Sequence, residues 1–201
     1  MLFNCILRRR RNEHFHTTPN CLADGGELLE RCFEEDGRTM SKVKHFQENL
    51  LGTDYVVGDI HGCFGKLEVE LQSIGFDEVK DRLFVVGDLV DRGPNSEDCL
   101  NWLDKPWFHA VRGNHEQMAI DFMTYGQDMY SIQNGMQWFV DLTTDERQLY
   151  VDEFEKLPLA IDIQAGNKLY GIIHAECPTK SWKDLEEVLN KPEGANVALW
   201  A

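Results

Sequence analysis

Val85-Val86-Gly87-Asp88-Leu89-Val90-Asp91-Arg92-Gly93 is the stretch on which the fold turns. It continues an apolar run from Leu83 to Val86, of strand length and strand composition. The run breaks at Gly87, and two carboxylates and a guanidinium follow within five residues. Asp88 stands where a strand should end and a loop begin. In sheets built from strand–helix connections, ligand sites gather beyond the carboxyl ends of the strands. A hard carboxylate there suits a metal ion. Arg92 offers a planar fork that matches phosphate oxygens. Alone, the stretch reads equally well as a capped turn with a surface ion pair. The rest of the chain decides between the two.

The same pattern recurs on either side. Asp54 to Val57 is a short apolar strand that ends in Gly58-Asp59-Ile60-His61-Gly62, and Leu67, Leu71 and Ile74 then follow at helical spacing. After Gly93, Asn95 and Ser96 are capping candidates for a helix expected to turn Leu100 and Leu103 inward. Phe108 to Val111 is a third strand, ending in Arg112-Gly113-Asn114-His115-Glu116. A helix carrying Met118, Phe122 and Met123 comes next. These units predict an α/β domain with helices layered over a sheet. Tyr125 to Leu142 is aromatic-rich and less regular, with a turn at Asn134-Gly135. Thr143 and Glu146 form a capping-box pair opening a helix with Leu149, Phe154 and Leu157, which Pro158 ends. Leu159 to Ile163 and Lys168 to Ile173 read as a hairpin, and the second strand runs into His174. A last helix spans Ser181 to about Asn190, with Trp182, Leu185 and Leu189. The apolar run Val197 to Ala201 looks like an element cut short.

Four strands therefore each deliver a metal-competent side chain at the carboxyl end: Asp59 with His61, Asp88, Asn114 with His115, and His174. Each has a bland reading, such as a cap, a turn or a satisfied polar group. Their joint occurrence is hard to explain as capping. The set mixes carboxylate, imidazole and carboxamide without thiolate, which points to Mn²⁺, Fe or Zn²⁺ and away from a structural cysteine site.

The ordered motifs GDIHG (Gly58 to Gly62), GDLVDRG (Gly87 to Gly93) and GNHE (Gly113 to Glu116), with the later His174, resemble the calcineurin-like metallophosphoesterases. The wording is most similar to serine/threonine protein phosphatases of the bacteriophage lambda type. The resemblance covers about Met40 to Trp200. It implies a β-sandwich of two mixed sheets flanked by helices, and a centre of two divalent metal ions, Mn²⁺ first among the choices. By motif, Asp59 and His61 resemble ligands of the first metal, and Asp88 the bridging carboxylate. Asn114 and His174 resemble ligands of the second metal. His115 is similar to the family's general acid, oriented by Asp91, and Arg92 to its phosphate-binding arginine. The implied reaction is hydrolysis of phosphate monoesters, on a phosphoprotein or a small phosphate ester. A metal-bridging hydroxide would attack phosphorus directly, and a histidine would protonate the leaving alkoxide.

Composition limits the alternatives. A chain of 201 residues, 42% hydrophobic and 27% charged, is an ordinary globular protein with room for one sizeable core. A net charge of -15 argues against nucleic-acid or anionic-membrane binding. It leaves room for an anionic substrate, because bound cations reverse the local field. The six cysteines are scattered without a CxxC pair, which suggests free thiols in a reducing compartment. The apolar start, Met1 to Leu7, precedes its arginines, the wrong order for a secretory signal, and no run reaches membrane-spanning length. A cytoplasmic protein is the expectation. The sequence sets no oligomeric state.

Residues 1–39, with the basic block Arg8 to Arg11 and the acidic Glu34-Glu35-Asp36, read as a poorly ordered extension, with Met40 as an alternative start. Residues 40–201 read as the phosphoesterase domain. Relatives carry a further late histidine and arginine that have no counterpart after His174 and Trp200. The expectation is a domain whose last strands are missing. Two other readings stay open: a dinucleoside-polyphosphate hydrolase, which shares GDIHGC (Gly58 to Cys63), and an inactive metal-binding remnant.

Overall fold

A computed structural model of the chain describes residues 41–126 and 129–200. The expected N-terminal extension, the start at Met40 and the final Ala201 lie outside those residues.

The chain opens with strand β1 (Val43–Phe46), where the sequence reading placed none. Strand β2 (Asp54–Val57) and helix α1 (Phe64–Ser73) follow, then strand β3 (Arg82–Val85). A 3-10 turn at Ser96–Asp98 leads into the short helix α2 (Cys99–Leu103). Strand β4 (Phe108–Ala110) feeds helix α3 (Asn114–Tyr125). Helix α4 (Met129–Ser131), a π-helical turn at Ile132–Met136 and helix α5 (Gln137–Val140) form a kinked segment. Helix α6 (Thr144–Lys156) starts at the expected capping box, with Thr143 Oγ1 accepting from the Glu146 amide. The hairpin is strands β5 (Ala160–Ala165) and β6 (Lys168–Ile173). A 3-10 turn at Trp182–Asp184, helix α7 (Leu185–Leu189) and helix α8 (Pro192–Leu199) complete the chain.

The strands make two sheets, as expected, but only one is mixed. The sheet β1-β5-β6 combines parallel and antiparallel pairs, whereas β2-β3-β4, whose strands are joined through helices, is parallel throughout among the described residues. Alternation along the strands sorts side chains into layers, because successive Cβ atoms point to opposite faces. Leu83 and Val85 face one way and join Phe64, Leu67, Trp102, Phe108, Phe122, Phe139 and Phe154 under α1, α2, α3 and α6. Phe84 faces the other way and meets Val111, Ile161, Ile163 and Ile172 between the two sheets. Val43, Ala160, Leu185, Leu189, Ala198 and Leu199 form a third cluster beneath α7 and α8. Each fully buried side chain of the size of Phe84 contributes about 1.5–3 kcal/mol.

Several local expectations change. In α2 the core residues are Cys99 and Trp102, while Leu100 and Leu103 sit half-buried at the margin. The 3-10 turn before α2 rotates the helical frame away from the one an Asn95 or Ser96 cap would set. Neither residue makes a capping bond there. In α6, Tyr150, Val151 and Phe154 point inward and Leu149 is exposed. The run Val197 to Trp200 is the end of a helix begun by Pro192, whose missing N–H costs nothing at a first helical turn. His174 follows β6, so the four strand ends come from two sheets, not one.

Among the described residues no helix is long and apolar enough to cross a membrane. Cys63, Cys99 and Cys177 are free thiols.

Candidate metal centre

The carboxyl ends of β2, β3 and β4 converge, and backbone hydrogen bonds tie their loops together. The amides of Ile60 and His61 both donate to the Asp88 carbonyl, at 3.0 and 2.8 Å, and Gly62 donates to the Leu89 carbonyl at 2.7 Å. Four non-glycine residues here adopt positive φ: His61 at 46°, Asp88 at 53°, Asp91 at 70° and Arg92 at 65°. Left-handed backbone costs such residues roughly 1–3 kcal/mol each and persists only where surroundings over-determine it. All four carry side chains of the site. Gly113 shows how tight the convergence is: a Cβ there would lie 2.3 Å from Asp88 Oδ1.

Glu116 holds two of these loops. Its buried carboxylate accepts the backbone N–H groups of Asp88 at 3.0 Å, Leu89 at 2.8 Å and Gly113 at 2.7 Å. Burial, and then the nearby Asp88 charge, push its carboxyl up to about 7, against the three N–H groups that hold it down.

The histidines are aimed by their second nitrogens. His61 Nδ1 donates to the Val90 carbonyl at 3.0 Å, and His174 Nδ1 to the Val86 carbonyl at 2.8 Å. That leaves each Nε2 with a lone pair facing Asp88. His61 Nε2 is 3.7 Å from Asp88 Oδ2, and His174 Nε2 is 3.5 Å from Asp88 Oδ1. Burial lowers the pKa of His61 against the opposing pull of Val90 and Asp88, favouring the neutral ring that a cation needs. Arg92 Nη1 donates to that same Nε2 at 2.8 Å. Asp59, half-exposed, reaches to 4.0 Å from His61 Nε2.

Two groups of donors emerge, each with ligand atoms within 4.8 Å of one another: His61, Asp88 and His115, and Asp59, Asp88 and His174. Asp88 belongs to both. Asn114 adds the most telling atom. Its Oδ1 is buried and accepts no hydrogen bond among the described residues. A buried acceptor without a partner costs free energy, and a cation could supply one. The donor set of carboxylate, imidazole and carboxamide, directed inward, fits a pair of divalent ions. The two groups overlap, since Asp59 also lies 4.0 Å from His61 Nε2.

His115 has a different setting. It is buried, and its Nδ1 bonds Asp91 Oδ2 at 2.6 Å, leaving Nε2 3.8 Å from Asp88 Oδ2. Asp91 is fully buried, and its amide donates to Ser96 Oγ at 2.9 Å. Arg92 lies at the exposed rim, with Nη2 at 3.4 Å from Asn134 Oδ1. Asn134-Gly135 is therefore packed against the site: Gly135 has φ 102°, and a Cβ on it would sit 2.5 Å from the Arg92 amide. His109 stays apart. Its ring lies against Phe46 and Phe84 at 4.5 and 5.2 Å between centroids.

The structure thus brings together Asp59, His61, Asp88, Asp91, Arg92, Asn114, His115 and His174, every residue named from the sequence. Reading the sequence missed the roles of Ser96, Glu116 and Trp138, whose indole Nε1 donates to Asp91 Oδ1 at 2.6 Å. For Glu116 a signal existed, since it closes the GNHE motif. For Trp138 the only hint was its place in the aromatic-rich stretch.

A family profile described as calcineurin-like phosphoesterase matches residues 55–199. Serine/threonine-protein phosphatase 1 of Salmonella typhimurium (strain LT2) is 41% identical over 143 residues, which are 67% of this chain and 66% of that protein. Serine/threonine-protein phosphatase 2 of Escherichia coli (strain K12) is 42% identical over 127 residues, 62% of this chain and 58% of that protein. The chain thus spans just under two thirds of the first of these relatives and less of the second. Among solved structures, a protein serine/threonine phosphatase from Saccharomyces cerevisiae superposes with a TM-score of 0.59. It covers 80% of this chain and 52% of its own at 23% identity, and shows likeness of fold. With the profile matching well over half of the chain, the chain belongs to the calcineurin-like phosphoesterase family.

Proposed function

We propose that this chain is a metal-dependent phosphatase that hydrolyses phosphate monoesters, with phosphoserine and phosphothreonine of proteins, or small phosphate esters, as substrates. The observation that carries this is the sharing of Asp88 by two donor groups, with the Asp91–His115 pair and Arg92 within reach of the same atoms. Asp59, His61 and Asp88 would hold one divalent ion, and Asp88, Asn114 and His174 the other. Manganese suits this oxygen and nitrogen donor set. The identities to bacterial serine/threonine phosphatases support kinship with the bacteriophage lambda type.

When bound, two divalent cations neutralise phosphate charge and acidify a water for attack on phosphorus. The protein's own groups do the rest. Arg92, at the rim, swings from His61 onto the non-bridging phosphate oxygens and fixes their orientation. His115 presents Nε2 to the leaving oxygen and gives it a proton, while Asp91 holds the ring through Nδ1. Alkoxides such as that of serine need this proton; a nitrophenolate does not.

We also propose that residues 40–201 act as the phosphoesterase unit in a reducing compartment such as the cytoplasm, a reading supported by the free thiols. The test is hydrolysis of a phosphoserine peptide, an aryl phosphate and a dinucleoside tetraphosphate, each with Mn²⁺ and with excess chelator. Chelator-sensitive turnover of the two monoesters is expected. A preference for the tetraphosphate, or full activity in chelator, overturns the proposal.

A further inference from the structure

The Asp91 carboxylate is gripped from two sides. One oxygen meets His115 Nδ1 and the other the indole N–H of Trp138, both at 2.6 Å. Asp91 has no exposure to solvent, and it sits at the positive φ of 70°. A donor on each oxygen holds the carboxylate against rotation about the Cβ–Cγ bond. Such outer partners are how proteins orient a functional imidazole.

Trp138 is well built for this. It sits on α5, half-buried, with Phe139 and Tyr150 edge-on at 5.6 and 5.1 Å between centroids. Tyr150 in turn is buried on α6, and its hydroxyl donates to the Glu97 carbonyl at 3.1 Å. The indole is therefore held from behind by a helix with no ligand of its own in the site. Tryptophan combines a large apolar body with a single donor, so it can be packed firmly and still present one N–H.

We propose that Trp138 is a positioning residue for proton transfer: it locks Asp91 so that His115 keeps Nε2 turned toward the leaving oxygen. This rests on the phosphatase reading above. The hydrogen bond that Trp138 makes at the site goes to Asp91, which belongs to neither group of donors, so its loss is expected to affect the step that needs the proton and to spare phosphate binding.

The test is Trp138→Phe in the full chain with saturating Mn²⁺. It removes the donor and keeps a ring. On a phosphoserine peptide kcat is expected to fall by about 10–100-fold, the range found for loss of such outer partners. On p-nitrophenyl phosphate kcat is expected to fall by no more than about 3-fold, because that leaving group needs little acid catalysis. KM is expected to stay level for both. An unchanged ratio of the two kcat values overturns the inference, whether both rates fall together or neither falls. A wild-type chain that hydrolyses neither ester overturns the phosphatase reading and this inference with it. A measurement on the wild-type chain stands independently of how the variant folds. With ¹⁵N-indole labelling, the Trp138 N–H is expected downfield of the chain's other indoles and slow to exchange. Asp91→Asn, which weakens the acceptor, should move it upfield. A fast-exchanging Trp138 signal at an ordinary shift overturns the bond itself.

Discussion

Replacing Glu116 by glutamine tests how the site is held. The carboxylate accepts Asp88 and Gly113 on Oε2 and Leu89 on Oε1, and no water reaches it. Glutamine has nearly the same shape but one acceptor oxygen. Its best placement leaves that oxygen where two N–H groups converge, and turns the amide nitrogen toward the Leu89 N–H. Two donors then face each other. A buried donor left unpaired costs about 1–3 kcal/mol, and the surviving bonds lose the strengthening of a charged acceptor. Against that, the amide escapes the burial cost that raises the Glu116 carboxyl to about 7. The expected net loss is about 2 kcal/mol. With a urea slope of about 2 kcal/mol/M, the unfolding midpoint drops by about 1 M at unchanged slope. Glu116→Ala frees all three donors and opens a cavity, so its midpoint should fall at least about twice as far. Tryptophan fluorescence in urea reads both variants. A glutamine variant with its midpoint within about 0.2 M of wild type would refute the argument that this carboxylate ties the two loops together.

Three further outcomes follow from the geometry. His115→Asn should lower kcat for an alkyl phosphate by roughly 10²–10⁴-fold, with a smaller loss on an aryl phosphate; equal losses in parallel assays would remove His115 as the acid. Gly135→Ala forces a Cβ to within 2.5 Å of the Arg92 amide at φ 102°. It should raise KM for phosphate esters by about tenfold as Arg92 is displaced, and steady-state kinetics with unchanged KM would show that this loop does not set the arginine. His109, pressed against Phe46 and Phe84 beside two cations, is pulled down to about 4, chiefly by burial. The unfolded chain then takes the proton first, so stability is intact above about pH 6.5 and is lost as pH falls toward about 4. His109→Phe should flatten that part of the profile in urea midpoints taken at pH 7 and pH 5, and an undiminished slope would exclude His109 as its source.

The donors were legible because strand ends in this kind of sheet are marked locally. An apolar run stops at a glycine, and Asp59, Asp88 or Asn114 follows at once. The hairpin leading to His174 was legible from the turn at Gly166-Asn167 between two strand-length runs. β1 was not, because Val43-Lys44-His45-Phe46 alternates with exposed polar residues and sits beside β5 through pairing far along the chain. Leu149 misled because helical spacing alone does not fix which face is buried; the aromatic neighbours of Tyr150 and Phe154 do. Trp138 acts across 47 residues on Asp91, and no local pattern announces such a bond. The positive φ of four ordinary residues is equally silent in sequence. It becomes intelligible only when the loops they occupy are seen tied to one another.

The central claim is one carboxylate shared by two cation sites. Calorimetric titration of the metal-free chain with Mn²⁺, beside Asp88→Asn and His174→Ala, tests it most directly. Two ions are predicted to bind the wild-type chain, and His174→Ala should lose one. Asp88→Asn should weaken both, because Asp88 belongs to both groups of donors. A single ion in the wild-type chain, or two ions with only one weakened by Asp88→Asn, would contradict it.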